Sequence, residues 1–338
     1  MYVVSFHSIF NENAMILAQR LNINFVVDLV PKHGDVMILF GAHEQADKLC
    51  LLQKSYSVDY IIVQTEQIES KVFDNKYYME LIQNNPLVDW SKSNVEKIKS
   101  KINVKVYGLY FYEFFGIEPE RIPSLENRPI DFFFTGAKSA EREKTIQEFK
   151  KANPTAVFEI DYSYSYVNPM ALTEKLLKVK YVLNLPYYKG NALETHRINR
   201  ALSLGCEVVS LISDDDDMNS KYSPYIHLVS RLTEFTPLIE HEPRANYPKL
   251  LHDFGLREIE NNVRGFLYAE KKIMEKRNKK LEEQVKSVAI KNEATIKEIP
   301  KPLQQPVSTD FSKFLAQKKL NEKQQSNAST EKNVDSSV

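Results

Sequence analysis

The best opening for chemistry in this chain is the stretch YYKGNALETHRINRALSLGCEVVS, Tyr187–Ser210. It reads as a loop, a helix, a Gly stop and an apolar strand. The first amides of a helix lack partners and sit at the positive end of its dipole. Gly190, Asn191 and the residues up to Leu193 therefore suit an anion such as a phosphate. Glu194, Arg197 and Arg200 follow at three-residue intervals and share roughly one face. Lys138 and Arg142 come just after Gly136, the turn that ends another apolar run, and would meet the same anion from an adjacent strand end. Lys189, Lys138, Arg142 and Arg197 around one helix start would form a diphosphate site. The same residues also fit an ordinary surface, with Glu194 and Arg197 as an ion pair worth under about 1 kcal/mol and the lysines in water. Spacing alone leaves both readings open.

Two further candidates stand at strand ends. Glu66, in VQTEQI, is placed to be a general base, because partial desolvation at such an end raises a carboxylate pKa. A charge complementing a helix start is the alternative. His7 would accept a proton near neutral pH, or serve as a hydrogen-bonded structural histidine. The run Asp214–Asp217 invites a metal, but consecutive carboxylates cannot all converge on one ion and no other spacing completes a ligand set. A solvated loop is the preferred reading there, and neither a metal nor a cofactor is expected. The sequence has no Walker loop, GxGxxG, GxSxG or HExxH, so nucleotide hydrolases, dehydrogenases and serine hydrolases lack their usual marks.

The elements that would carry these residues alternate along the chain. Short apolar runs at Val3–His7, Phe25–Leu29, Val36–Phe40, Tyr60–Gln64, Leu87–Trp90 and Lys105–Leu109 suit strands buried on both faces. Helical spacing at Asn13–Leu21 and Glu44–Ser55 separates them, and Ser93-Asn-Val-Glu96 spells a capping box that predicts a further helix. The segment EPERIPSLENR, within an expected linker at 118–129, closes this half. Strands then recur at Ile130–Phe134, Val157–Tyr162, Tyr181–Leu185, Glu207–Leu211 and Tyr225–Val229, with helices at Arg142–Ala152, Ala171–Lys180 and Ala192–Leu204. The fold class this implies is α/β, with two doubly wound, Rossmann-like domains facing a cleft, at 1–117 and 130–245. A helical segment at 246–290 follows, including one long helix over Arg257–Lys280, and then a disordered tail at 291–338 rich in Pro, Gln, Ser and Lys. Met274, Leu281, Val285 and Val288 form a narrow apolar seam. In the tail, Phe311, Phe314, Leu315 and Leu320 fit one helical face, which leaves open a partner-docking segment or no role at all.

Composition narrows the class. Lys+Arg and Asp+Glu are both 45, so no global field draws the protein to nucleic acid or an anionic membrane. Eighteen Tyr and 18 Phe against nine Gly indicate bulky strands with few glycine loops. Two cysteines without a CxxC partner fit a reducing compartment, and no apolar run approaches the ~20 residues that span a bilayer. A cytoplasmic location is the expectation.

The order of pieces resembles a family. PLVDWSKSNVEKIKSKINVKVYGLYFYEFFG is similar to the end of the first domain of GT-B glycosyltransferases, and IDFFFTGAKSAEREKTIQEF to the start of their second. NPMALTEKLLKVKYVLNLPYYKGNALETHRINRALSLGCEVVS resembles the donor-site core of that second domain. YIIVQTEQIESKVFDNKYYMELI resembles a less characterised branch that carries such a Glu-Gln step. The resemblance implies metal-independent transfer of a sugar from a nucleotide-activated donor to a glycan, lipid or protein acceptor. Gly136, Lys138, Arg142, Gly190, Asn191, Glu194 and Arg197 would bind the donor, with His7 or Glu66 as base. Many retaining members carry a pair of glutamates ahead of the Gly equivalent to Gly205, where this sequence has Ala192 and Arg200. A catalytically silent binding or scaffold protein of the same fold is the alternative.

Overall fold

The computed structural model describes residues 1–27, 31–163, 168–188, 191–237 and 247–297. Lys189, Gly190 and the tail positions Phe311, Phe314, Leu315 and Leu320 lie outside these residues.

The chain first builds β1 (Tyr2–Ser5), α1 (Asn11–Leu21), β2 (Asn24–Val26), β3 (Val36–Phe40), α2 (Ala46–Tyr56) and β4 (Asp59–Val63). It continues through α3 (Lys76–Asn84), β5 (Leu87–Asp89), α4 (Lys92–Lys101) and β6 (Val106–Leu109). A second series follows: β7 (Ile130–Thr135), α5 (Ala140–Ala152), β8 (Phe158–Asp161), α6 (Pro169–Leu176), β9 (Val179–Asn184) and α7 (Thr195–Ser203). It ends with β10 (Glu207–Leu211), α8 (Asp216–Tyr222) and β11 (His227–Val229), and then α9 (Tyr247–Leu250) and α10 (Leu256–Lys297).

Two sheets result, in the orders β2-β1-β3-β4-β5-β6 and β11-β10-β9-β7-β8, and every ladder in both is parallel. Parallel strands need apolar side chains on both faces because helices cover both. Accordingly, all five residues of β3 are buried, as are Phe132, Phe133 and Phe134 of β7. This is the doubly wound architecture expected from the alternating runs.

Several boundaries differ from the sequence reading for local reasons. α4 starts at Lys92 because Ser91, not Ser93, caps it, with the Ser91 hydroxyl accepting from Asn94 N. Lys180 belongs to β9 rather than to the preceding helix, which ends at Leu176. α7 begins at Thr195 with Glu194 as its N-cap residue, three positions later than the apolar spacing suggests. α3 had no place in the sequence reading, although Asn75 caps it by accepting from Tyr77 N and Tyr78 N. The solvated-loop reading of Asp214–Asp217 fails for Asp215, which is buried, caps α8 and accepts from Met218 N.

Both sheets lie in one compact unit, Met1–Arg277. Its largest hydrophobic cluster runs continuously from Val3, Ile38 and Ile61 of the first sheet to Phe133, Val182 and Val208 of the second. The segment joining the sheets, residues 110–129, leaves the first sheet after β6 and opens with Tyr110, Phe111, Tyr112 and Phe114 buried. A buried backbone outside a ladder must find other partners. Asn262 of α10 takes both polar groups of Phe111 at 3.2 Å, Asn199 of α7 donates to Tyr112 O at 2.9 Å, and Asn13 of α1 donates to Glu113 O at 2.7 Å. The Tyr247 hydroxyl accepts from Phe114 N at 3.0 Å. α10 packs tightly over β6 because Gly265 faces Gly108, and a Cβ at Gly265 would come within 3.1 Å of Tyr107 O. Arg277 then pairs with Asp59 at 2.6 Å and donates to the carbonyls of Gly34 and Asp35.

The second unit, Asn278–Val338, is described as far as Lys297 and continues α10 beyond the Lys280 end expected from sequence. Leu281, Val285 and Val288 are exposed there. No helix among the described residues is long and apolar enough to cross a membrane.

Asn262→Leu keeps side-chain bulk but orphans the N–H and C=O of Phe111. It is expected to lower the unfolding free energy by about 2–5 kcal/mol in urea titration. A loss below about 1 kcal/mol would show that the crossing segment does not depend on this clamp.

Candidate functional site

In doubly wound sheets ligands gather where neighbouring crossovers run in opposite directions, at the carboxyl ends of the strands. In the first sheet that place lies between β1 and β3, and in the second between β7 and β9. A cavity of about 580 Å³ opens between these points. From the first sheet it is lined by His7 after β1, His43 and Glu44 after β3, Thr65, Glu66 and Gln67 after β4, and Trp90 after β5. From the second it is lined by Thr135, Gly136 and Ala137 after β7, by Tyr187 and Tyr188 after β9, and by Glu194, His196, Arg197 and Arg200 around α7.

The second-sheet wall is cationic but internally paired. Glu194 accepts from Arg142 at 3.0 Å and from Arg197 at 2.5 Å. Arg197 also donates to Asn184 Oδ1 at 3.0 Å, and Asn184 donates to Ser210 Oγ at 2.9 Å, so one polar chain crosses the ends of β9 and β10. Arg142 is buried and spends its fork on Leu185 O at 2.6 Å, Ala137 O at 2.9 Å and Pro186 O at 3.2 Å. Its guanidinium lies 5.1 Å from the Phe134 ring centre and 5.2 Å from that of Tyr187. Arg142 thus holds the loops after β7 and β9 together, while Arg197, with 19% of its side chain exposed, faces the cavity.

Gly136 makes room for this pair. Its φ of +152° disfavours other residues, and a Cβ would stand 3.2 Å from Arg197 Nη2 and 3.3 Å from Arg142 Nη1. Lys138 takes another course: it is 58% exposed, pairs with Glu143 at 2.9 Å and does not line the cavity. Asn191 is buried, and neither of its side-chain polar atoms finds a partner among the described residues.

The first-sheet wall carries carboxylates and histidines. Glu66 Oε1 lies 3.8 Å from His43 Nε2, and Glu44 Oε1 lies 3.4 Å from the same nitrogen. Burial pushes the Glu66 carboxyl up to about 7, with Glu194 and Glu44 adding repulsion and a Ser70 hydrogen bond opposing it. Burial likewise lowers the His43 pKa, against the attraction of Glu44 and with the help of His7. His7 caps a short 3-10 turn, and its Nδ1 accepts from Ile9 N at 3.3 Å.

Further polar residues lie between the walls. His196 is held by Asn13 at 3.0 Å inside the rings of Phe10, Tyr112 and Phe114, and burial drives its pKa down to about 3. Arg200 bridges to Glu12 at 2.9 Å and to Thr173 Oγ1 at 2.5 Å. Arg200 thus links α7 with α1 and α6. Ser91 donates to Asp215 at 2.6 Å and Trp90 to Leu193 O at 3.3 Å, adding two more ties across the cleft floor. His196 belongs to no spacing or motif pattern, so only the folded chain reveals it.

No family model matches the sequence, and no curated protein matches it. Among solved structures the chain is similar to a mutant of S. aureus TarM in complex with fondaparinux, α-GlcNAc-glycerol and UDP. Identity is 13% and the TM-score 0.42, over 69% of this chain and 55% of that one. It is similar to the GtfA/B complex at 12% identity and TM-score 0.31, over 71% of this chain and 55% of that one. WaaG, a glycosyltransferase involved in lipopolysaccharide biosynthesis, aligns at 10% identity and TM-score 0.39, over 80% of this chain and 95% of that one. The chain thus spans about half the length, 55%, of the first two. The two-sheet architecture stands on this chain's own strand order and register.

Arg142→Ala is expected to cost about 3–5 kcal/mol of stability, because it strands three carbonyls and removes one of the two partners of Glu194. Arg197→Ala, nearer the solvent, should cost no more than about 1–2 kcal/mol. Equal losses in chemical denaturation would contradict this division between a scaffold arginine and a cavity arginine.

Proposed function

We propose that this chain transfers a glycosyl group from a nucleoside-diphosphate sugar to an acceptor hydroxyl. The observation that supports this most is one cavity with opposed walls. Gly136, Arg197 and the start of α7 offer a cradle for anionic oxygens, and Glu66, a carboxylate raised to about 7, faces them. Arg197 and the first-turn amides of α7 would offset charge growing on the leaving diphosphate. Arg142 holds that cradle, and Glu194 orients Arg197 and hydrogen-bonds sugar or ribose hydroxyls. In the transfer, the acceptor oxygen bonds to the anomeric carbon. The bond from that carbon to the diphosphate oxygen breaks, and its electron pair leaves with the diphosphate. The acceptor proton passes to Glu66, with His7 as the neighbouring polar group. No protein-bound metal enters this scheme.

A second reading, a catalytically silent binding protein, draws support from Ala192 and Arg200 at the positions where retaining members carry glutamates. Ligand binding tests the fold-level reading first. Uridine, guanosine or cytidine diphosphate, or one of their sugars, should raise the thermal midpoint at millimolar concentration, and Arg197→Ala should abolish the shift. If none of them moves the midpoint, the transferase reading fails.

Activity then separates enzyme from scaffold. A base must be deprotonated, and a raised pKa delays that step, so nucleoside diphosphate release should rise with pH through a midpoint near the Glu66 value of about 7. Glu66→Gln should keep the thermal shift, lower turnover by ~100-fold or more and flatten the pH profile. A donor-dependent shift without turnover at any pH favours the silent protein.

A further inference from the structure

The apolar seam on α10 takes no part in the cleft. The helix runs without a break from Leu256 to Lys297. Ile259, Phe266, Ala269 and Ile273 bury one of its faces in the core of the first unit. Met274 begins a second face, about a quarter turn away. Met274, Leu281, Val285 and Val288 are large apolar side chains, each 45–61% exposed. Steps of seven, four and three residues keep such a narrow stripe in line where two helices wind around each other. Every residue from Asn278 to Val288 is exposed, so among the described residues nothing packs on any face there. Helices draw most of their stability from a packed apolar face, and this stretch has only propensity to hold it.

Written as heptads, Met274, Leu281 and Val288 take position d, and Asn278 and Val285 take position a. Asn278 identifies the partner. An amide in an apolar seam is costly unless another amide meets it in the same layer. A second copy of this helix, parallel and in register, supplies one by symmetry. The flanking charges agree. Parallel copies bring Arg277 at g toward Glu282 at e, with the Arg277 Nε also holding Asp59 at 2.6 Å. An antiparallel copy would set e against e, and both residues there, Glu275 and Glu282, are acidic. Lys271, at the preceding a position, would face its own copy and so ends the seam at Met274. A lipid surface fits less well, because the stripe has no aromatic residue and Glu275, Glu282 and Glu283 interrupt the cations beside it. We propose that two copies of this chain associate through α10 as a parallel, in-register helix pair from Met274 to Val288, with Asn278 facing Asn278 of the second copy. So short a seam gives a weak dimer, with a dissociation constant on the order of 10–100 µM. The association is independent of what the cleft binds.

Sedimentation equilibrium of the full chain tests this. The mass should rise from 39.2 kDa at about 1 µM toward twice that value by about 200 µM. Leu281→Lys combined with Val285→Lys should hold the mass at 39.2 kDa throughout and leave the thermal midpoint within about 1 °C, since both side chains are exposed in the single chain. Disulfide trapping reads orientation, and the native Cys50 and Cys206 are buried and do not compete. Under mild oxidation Val285→Cys should cross-link to a covalent dimer at least ~10-fold faster than Glu283→Cys, which stands at position f on the outer side. A mass that stays at 39.2 kDa at every concentration overturns the proposal, as does a dimer that survives the double lysine variant. Cross-linking at position 283 as fast as at 285 also overturns it. So does a chain that is monomeric in solution yet sediments with vesicles of phosphatidylserine and phosphatidylcholine, because the seam then serves a membrane surface.

Discussion

The cleft depends on five residues that leave the first sheet at the start of the connection to the second. Tyr110, Phe111, Tyr112 and Phe114 are buried and Glu113 is half-buried, so peptide groups here that find no backbone partner must be satisfied by side chains. Asn13, Asn199, Tyr247 and Asn262 do this from α1, α7, the α9 turn and α10. Each of these contacts ties a different element to the same strip of backbone. The relation of α1, under the first-sheet wall, to α7, which carries the second-sheet wall, is therefore set by hydrogen-bond geometry as well as by apolar packing.

That clamp allows polar residues to meet in the cleft at modest cost. Arg200 and Glu12 are each mostly buried, and stripping two charges of water costs several kcal/mol unless further hydrogen bonds offset it. Thr173 Oγ1 takes a second N–H of Arg200, and Glu12 also accepts from Phe115 N at 2.8 Å, just past the crossing segment. His196 follows another course: enclosed by three aromatic rings, it stays neutral, with Asn13 and the backbone of Ile9 as partners. Ser91 and Asp215 close the opposite side of the floor through a buried hydroxyl–carboxylate bond. Polar ties of this kind contribute little net stability but fix one arrangement, because a misaligned alternative leaves them unpaired.

Within the cavity, pairing sets the character of one wall and burial that of the other. On the second-sheet side, Glu194 balances one of two adjacent guanidinium charges, leaving a net positive wall next to a helix start. On the first-sheet side, no cation among the described lining residues faces Glu66, so desolvation raises its pKa instead. A cation-rich wall opposite a weakly acidic one is a division of labour that neither sheet supplies alone.

Much of the fold was legible in the sequence, since strands buried on both faces must be continuous apolar runs, and VMILF and IDFFFT are that. Gly136 and the Glu194–Arg197 spacing were legible too, because a turn glycine and a helical repeat are local properties. Helix starts were less so: Ser91 was passed over for Ser93, since capping depends on where the preceding strand delivers the chain. The sequence by itself thus determined the alternation of elements, the strand cores and which charged residues stand at strand ends. The tertiary structure alone decided that Arg142 is a scaffold and Arg197 a cavity residue, that Lys138 points away, and that Asp215 is buried. It alone brought His196 into the cleft. These outcomes turn on contacts between residues up to 188 positions apart, such as Glu12 with Arg200, and on desolvation by neighbours that no local pattern encodes.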